Sequence, residues 1–220
     1  FGAGTFVLIS TDKAVHPTSI MGATKRIGEM LIGALDGAGT RCTGVRFGNV
    51  LGSRGSVVPT FERQIEAGCP VTITHPDMTR YFMSLSEAVS LVIQAAVLTR
   101  GGDLFVLDMG QPIRIETLAR RLVRLRGLRP QVDIPIKYTG IRPGEKLHEE
   151  LTALGDEPEP TSHRLIYRIR GPEPIDSEAL LAEIDALAQL VHEQRSEELV
   201  ARLFALASSP ALVTGAKAAG

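Results

Sequence analysis

The chain has 220 residues, of which 44% are hydrophobic and 22% charged, with a formal net charge of −1. This length buries a sizeable core in one or two domains, and near neutrality excludes broad electrostatic attraction to nucleic acid or an anionic membrane. No apolar run approaches the ~18 residues that span a bilayer, and the two cysteines and five histidines lack metal-ligand or redox spacing, so no metal site is expected.

Taken in order, Phe6 to Ser10 reads as a short buried strand. Pro17 blocks a helix on its N-terminal side, and Thr18 or Ser19 can cap one that runs to Leu35 and ends at Gly37 and Gly39. Thr43 to Val50 is a second strand, followed by the glycine-rich loop Gly52-Ser53-Arg54-Gly55-Ser56. A helix from Val58 to Ala67 stops at Gly68, and Val71–Thr74 and Arg80–Met83 are short strands. Ser86 caps a helix to Leu98, and Leu104–Leu107 is strand-like. Ile115 to Leu125 is amphipathic, with Leu118, Leu122 and Leu125 on one face.

Ile134–Tyr138 is a strand candidate, and Lys146–Leu154 a short helix. Asp156 to Pro160 reads as a linker, and Leu165–Ile169 as a lone strand. Two helices follow, Ser177–Gln194 and Glu197–Ala207, before ten small residues expected to fray. Alternating strands and helices predict an α/β domain over 1–155 with a mixed or parallel sheet. Residues 156–220 are expected to be a linker and a helical tail.

A nicotinamide-binding fold normally carries G-x-G-x-x-G between its first strand and helix. Here Gly2-Ala3-Gly4 precedes a strand, and Gly48, Gly52 and Gly55 have other spacings. The P-loop pattern is absent as well, so no pyrophosphate cradle lies in these residues. The chain opens on Phe1 without a signal peptide, which points to a longer parent. The cysteine usage fits a reduced, cytoplasmic setting.

Four stretches then stand out in order. The first is Ser10-Thr11-Asp12-Lys13-Ala14-Val15, continuing through Pro17-Thr18 to Met21-Gly22-Ala23-Thr24-Lys25-Arg26. The second is Arg46-Phe47-Gly48-Asn49-Val50-Leu51-Gly52-Ser53-Arg54-Gly55-Ser56-Val57, and the third runs from Thr72 to Met83. The fourth is Arg142-Pro143-Gly144-Glu145-Lys146-Leu147. Together they resemble the nucleotide-sugar 4,6-dehydratases of bacterial polysaccharide biosynthesis, in the CapD-like branch of the extended short-chain dehydrogenase/reductases. After Leu154 the resemblance fades. It implies an incomplete Rossmann-type domain that lacks its N-terminal cofactor-binding half, with a small substrate lobe.

The resemblance implies oxidation at carbon 4 of UDP-N-acetylglucosamine against NAD or NADP, loss of water across carbons 5 and 6, and reduction at carbon 6. Asp12 matches the acid at carbon 6, and Lys13 the base at carbon 5. Both would have to be neutral to act, and burial favours that. Lys25 matches the lysine at the cofactor ribose, and four residues earlier Met21 occupies the usual place of a tyrosine. A thioether has no proton to exchange, so Thr11, Asp12 or a water takes over the task, or the site is dead. Gly22 weakens the helix by about 1 kcal/mol relative to alanine, which suggests close approach of substrate or cofactor to the backbone.

Arg46 is expected at the cofactor, and Asn49, Arg54, Ser56, Thr72, Thr74, Arg80, Arg142 and Glu145 at the nucleotide-sugar. The arginines around Ile115–Leu125 read as a solvated face rather than a nucleic-acid patch. The parent is expected to be a homo-oligomer, with upstream helices holding it to the cytoplasmic face of the membrane. The fragment alone is expected to be inactive. A nucleotide-sugar 4-epimerase and a non-catalytic nucleotide-sugar binding module stand as alternatives.

Overall fold

The computed structural model describes residues 2–35, 39–53, 55–170 and 176–209. In chain order these form β1 (Thr5–Ile9), a single 3-10 turn (Asp12–Ala14), α1 (Ile20–Ala34), β2 (Arg41–Arg46), β3 (Asn49–Val50) and α2 (Val57–Glu66). Next come β4 (Val71–Ile73), β5 (Thr79–Arg80), β6 (Phe82–Met83), α3 (Leu85–Leu98), β7 (Asp103–Leu107), β8 (Ile113–Arg114) and α4 (Ile115–Leu125). The chain ends with β9 (Ile136–Tyr138), β10 (Glu157–Pro160), β11 (Ile166–Arg170), α5 (Ser177–His192) and α6 (Ser196–Ala207). Two compact units result: Phe1–Phe47 with Leu91–Asp108 and Glu150–Gly220, and Gly48–Ser90 with Met109–Glu149.

The first unit holds a five-stranded sheet in the order β1-β2-β7-β11-β10. β1, β2 and β7 are parallel, while β11 runs antiparallel to β7 and β10 antiparallel to β11. Parallel neighbours need a crossover, which α1 supplies between β1 and β2. Ser19 caps α1 by accepting the Gly22 N–H at 3.1 Å. Ala23, Ile27 and Met30 recur at helical spacing and pack with Leu180 and Leu187 of α5 and Leu203 and Leu206 of α6.

Residues 157–170 therefore belong to the sheet rather than to a linker, and the helices over 177–207 pack on α1 rather than trail as a tail. β10 and β11 complete the sheet, so the expected lone strand has a partner on each side, and α5 and α6 cover α1. The two prolines that made 156–160 look like a linker sit on the outermost strand, where a missing N–H breaks no ladder. Gly37 and the final ten residues lie outside the described residues.

In the second unit α2 and α4 pack on β4 and β9, with Phe61, Ile65, Val71, Ile73, Ala119, Val123 and Ile136 in one buried cluster. β4 and β9 are parallel, and α4 spans the expected residues. The strand expected over 43–50 splits at Phe47-Gly48 into β2 and β3. Arg80–Met83 splits at Tyr81, because β5 pairs with β8 and β6 with β3.

Ser84, not Ser86, caps α3. Its hydroxyl accepts the Glu87 N–H at 3.2 Å, while the Glu87 carboxylate accepts the Ser84 N–H at 2.9 Å. The Ser84 hydroxyl, which also donates to Glu87 Oε2 at 2.6 Å, and then the Ser84 N–H hold the Glu87 carboxyl below its ordinary range. No helix forms over 146–154. The Leu147 carbonyl accepts from the Thr79 amide at 3.1 Å, and the Leu151 carbonyl from Arg46 at 2.9 Å, in place of intrahelical partners. No helix among the described residues is long and apolar enough to cross a membrane.

Candidate active site

Beyond β1 the chain stays beside the end of β2. Ser10 N–H donates to the Val45 carbonyl at 2.8 Å, and Asp12 N–H to the Phe47 carbonyl at 3.0 Å. Thr11 is extended and caps the 3-10 turn. Its hydroxyl donates to Asp12 Oδ1 at 2.9 Å, and Lys13 Nζ donates to the same oxygen at 2.8 Å. Asp12 is 0% exposed, and its other oxygen, Oδ2, is buried without a hydrogen-bond partner among the described residues. Such an atom is costly unless it carries a proton or meets a donor.

On α1, Met21 is 47% exposed, so it is not core filling. Lys25, one turn on and sharing that face, donates from Nζ to the Ile9 carbonyl at 2.8 Å. Gly22 is explained by protein rather than ligand: the Lys13 carbonyl stands where a Cβ would project. Thr11, Asp12, Lys13, Met21 and Lys25 all belong to this one unit.

Arg46 differs from expectation. It is 1% exposed and forks onto Glu29, with Nε to Oε1 at 3.0 Å and Nη2 to Oε2 at 2.8 Å. Nη1 donates to the Leu151 carbonyl at 2.9 Å and to Asp156 at 3.2 Å. Burial pulls its pKa down, but the bonds and charges of Glu29 and Asp156 outweigh this and raise it. The guanidinium is a buried strut, not a cofactor contact. Sequence reasoning missed Glu29, which also accepts the Ser10 hydroxyl at 2.6 Å. Its only signal was a carboxylate between Gly28 and Met30, one turn beyond Lys25.

In the second unit Glu145 is a hub. Its Oε1 lies 3.4 Å from both Arg80 Nη2 and the Thr74 hydroxyl, and Oε2 accepts the Arg142 backbone N–H at 3.3 Å. The structure thus gathers Thr74, Arg80, Arg142 and Glu145. Arg80 is 6% exposed and also faces Glu149 at 3.9 Å. It is neutralised by carboxylates rather than presented as the expected phosphate ligand, whereas Arg142 is exposed.

Thr72 stands apart, its hydroxyl accepting from Gln64 at 2.8 Å. Asn49 is fixed in β3 by its N–H to the Tyr81 carbonyl at 2.9 Å. Ser56 precedes α2 without capping it, and its Oγ is buried without a hydrogen-bond partner among the described residues. Arg54 lies outside the described residues.

The arginines around α4 are largely neutralised, Arg120 by Glu116 at 2.7 Å, Arg126 by Glu62 at 3.2 Å and Arg129 by Asp133 at 2.8 Å. This fits a solvated face. Among the described residues no group of three or more candidate ligands could hold a metal ion.

Residues 1–171 match the family described as polysaccharide biosynthesis protein, so the likeness runs past Leu154 into β11. The capsular polysaccharide biosynthesis protein CapD of Staphylococcus aureus is 52% identical over 86% of this chain and 32% of its own length. The probable polysaccharide biosynthesis protein EpsC of Bacillus subtilis (strain 168) is 48% identical over 98% of this chain and 35% of its own. The chain thus spans about a third of the length of these curated relatives. Among solved structures, Pen from Bacillus thuringiensis is 36% identical with a TM-score of 0.69, covering 77% of this chain and 53% of Pen. dTDP-glucose 4,6-dehydratases and UDP-sugar 4-epimerases at 17–20% identity share the short-chain dehydrogenase/reductase fold, with TM-scores of 0.57–0.59. Some of these dehydratase structures hold NAD.

Proposed function

Because the chain belongs to the polysaccharide biosynthesis protein family, whose matched relatives and structural neighbours include nucleotide-sugar dehydratases and epimerases, we propose that it carries the acid, base and substrate-binding residues of an NAD(P)-dependent 4,6-dehydratase acting on UDP-N-acetylglucosamine. The observation that supports this reading is the Asp12–Lys13 pair at the end of β1, a buried carboxyl with one unpartnered oxygen and the Lys13 Nζ 2.8 Å from the other. Dehydration needs an acid and a base side by side. A 4-epimerase has no leaving hydroxyl to protonate.

A nicotinamide riboside fits the residues of α1. One N–H of the Lys25 ammonium reaches Ile9, which leaves two for a ribose diol. The ring, when bound, supplies a reversible hydride acceptor. Met21 beside it has no proton to exchange. The proton of the carbon 4 hydroxyl therefore passes to Thr11, whose own hydroxyl proton goes on to Asp12 Oδ1, 2.9 Å away. Asp12 then delivers that proton to the carbon 6 hydroxyl, which leaves as water. Lys13, acting as the neutral amine, takes the carbon 5 proton and returns it to carbon 5, so protons balance. Taken by itself, the second unit offers groups suited to a nucleotide in exposed Arg142 and the Thr74–Glu145 pair, and the buried Ser56 hydroxyl at the start of α2 suits a phosphate oxygen.

The test is mass spectrometry of UDP-N-acetylglucosamine incubated with NAD and the full gene product. Loss of one water with a new 4-keto group supports the proposal. An unchanged mass with inversion at carbon 4 favours the epimerase. An unaltered substrate overturns both.

A further inference from the structure

Two side chains of α1, one turn apart, hold the end of β1. Lys25 reaches the Ile9 carbonyl, and Glu29 accepts the Ser10 hydroxyl at 2.6 Å. Glu29 also receives the Arg46 fork. Arg46 adjoins Phe47, whose carbonyl accepts the Asp12 N–H at 3.0 Å. Glu29 therefore reaches the Asp12–Lys13 turn by two routes, along the chain from Ser10 and across the sheet through Arg46 and Phe47. At 5% exposure, with both oxygens accepting bonds, it is a fixed anchor that the proposed chemistry does not otherwise use.

We propose that Glu29 is a positioning residue, which sets the Asp12–Lys13 pair by fixing Ser10 on one side and Arg46 on the other. The inference rests on the dehydratase reading. The 3-10 turn is too short to orient itself. Its own bonds are Ala14 N–H to the Thr11 carbonyl and Val15 N–H to the Asp12 carbonyl, both 3.1 Å. Asp12 and Lys13 lie two and three residues beyond Ser10, so a shift there is passed directly to both reacting groups. Displacements of about 1 Å in such groups lower rates by up to about 100-fold.

Removal of Glu29 itself would strip the buried Arg46 of its bidentate partner and leave only Asp156 and the Leu151 carbonyl on Nη1, which puts the fold at risk. Ser10→Ala is the cleaner variant. It cuts the link to β1 and leaves the Glu29–Arg46 pair intact. Two measurements on the full gene product decide the matter. The first is hydrogen exchange by mass spectrometry, where the peptide over 10–15 is expected to exchange faster while the α1 peptides do not change. Unchanged exchange over 10–15 overturns the proposal, whether or not the protein turns over. The second is kinetics, where kcat is expected to fall at least about tenfold, with KM for the nucleotide-sugar retained and the pH profile of kcat displaced. Faster exchange with an unaltered kcat and pH profile also overturns it. If the full gene product releases no 4-keto product, the dehydratase reading fails by itself, and the exchange result still decides whether this linkage holds the turn.

Discussion

Gly22 has no room for a Cβ, because the backbone carbonyl of Lys13 occupies that place. α1 lies this close to the Asp12–Lys13 turn only with a hydrogen there. In Gly22→Ala the helix gains about 1 kcal/mol in propensity, while the methyl meets a backbone atom that cannot rotate away, at about 1–3 kcal/mol. Net destabilisation and lower turnover are expected in denaturant unfolding and product assays. A more stable G22A protein would refute the close approach.

Lys13→Ala and Asp12→Asn should each lower kcat by about 10²–10⁴-fold, since one removes the proposed base and the other the proposed acid. The rate of 4-keto product release at saturating substrate reads this directly. Retained dehydration in either variant would end the assigned role.

Met21 is half-exposed and offers no proton. Met21→Leu should keep turnover and shift stability by no more than about 0.5 kcal/mol. Loss of activity in this variant, measured beside an unchanged melting curve, would mean that the sulfur itself takes part.

Arg46 and Arg142 separate structure from binding. Arg46→Ala leaves Glu29 buried without its main partner and should destabilise by about 3–5 kcal/mol. Arg142→Ala, at an exposed position, should change stability by no more than about 0.5 kcal/mol and raise KM for the nucleotide-sugar. Equal unfolding midpoints would contradict the strut assigned to Arg46.

Asp133 supplies a pH test. Its bonds from the Arg129 side chain and backbone N–H lower its carboxyl pKa from 3.8 to about 2. The folded value is depressed, so the contribution is present above the unfolded pKa and is lost as pH falls toward 2. Carbon-13 NMR titration of the carboxyl checks this, and a midpoint near 4 in the folded protein would remove the interaction.

The sequence told most where local rules and tertiary packing agree. α4 has its predicted ends, although the residues it buries in the core are Ile115, Ala119 and Val123 rather than the expected Leu118, Leu122 and Leu125, the last of which is exposed. Ser19 is legible as a cap because a capping hydroxyl acts within its own turn. The Asp12–Lys13 pair was likewise visible, since adjacent residues need no fold to bring them together. Glu29 and Arg46 were not, because their pairing depends on α1 lying across the end of β2. Lys146–Leu154 looked helical by composition, yet its carbonyls are taken by Thr79 and Arg46, which no local pattern announces. Pro158 and Pro160 suggested a linker because their edge position is set by β11, not by their neighbours in sequence.

Those prolines also give the sheet a direction of growth. Opposite Ile169 and Tyr167 they turn no N–H outward, and Glu157 and Glu159 alternate with them. An extended peptide or a second sheet finds no N–H donor from these two residues at that end. At the other end β1 has an outer side with no strand beside it among the described residues, flanked by exposed Phe6 and Ile9. Within this five-stranded sheet, a further strand is favoured on the outer side of β1 rather than beside β10.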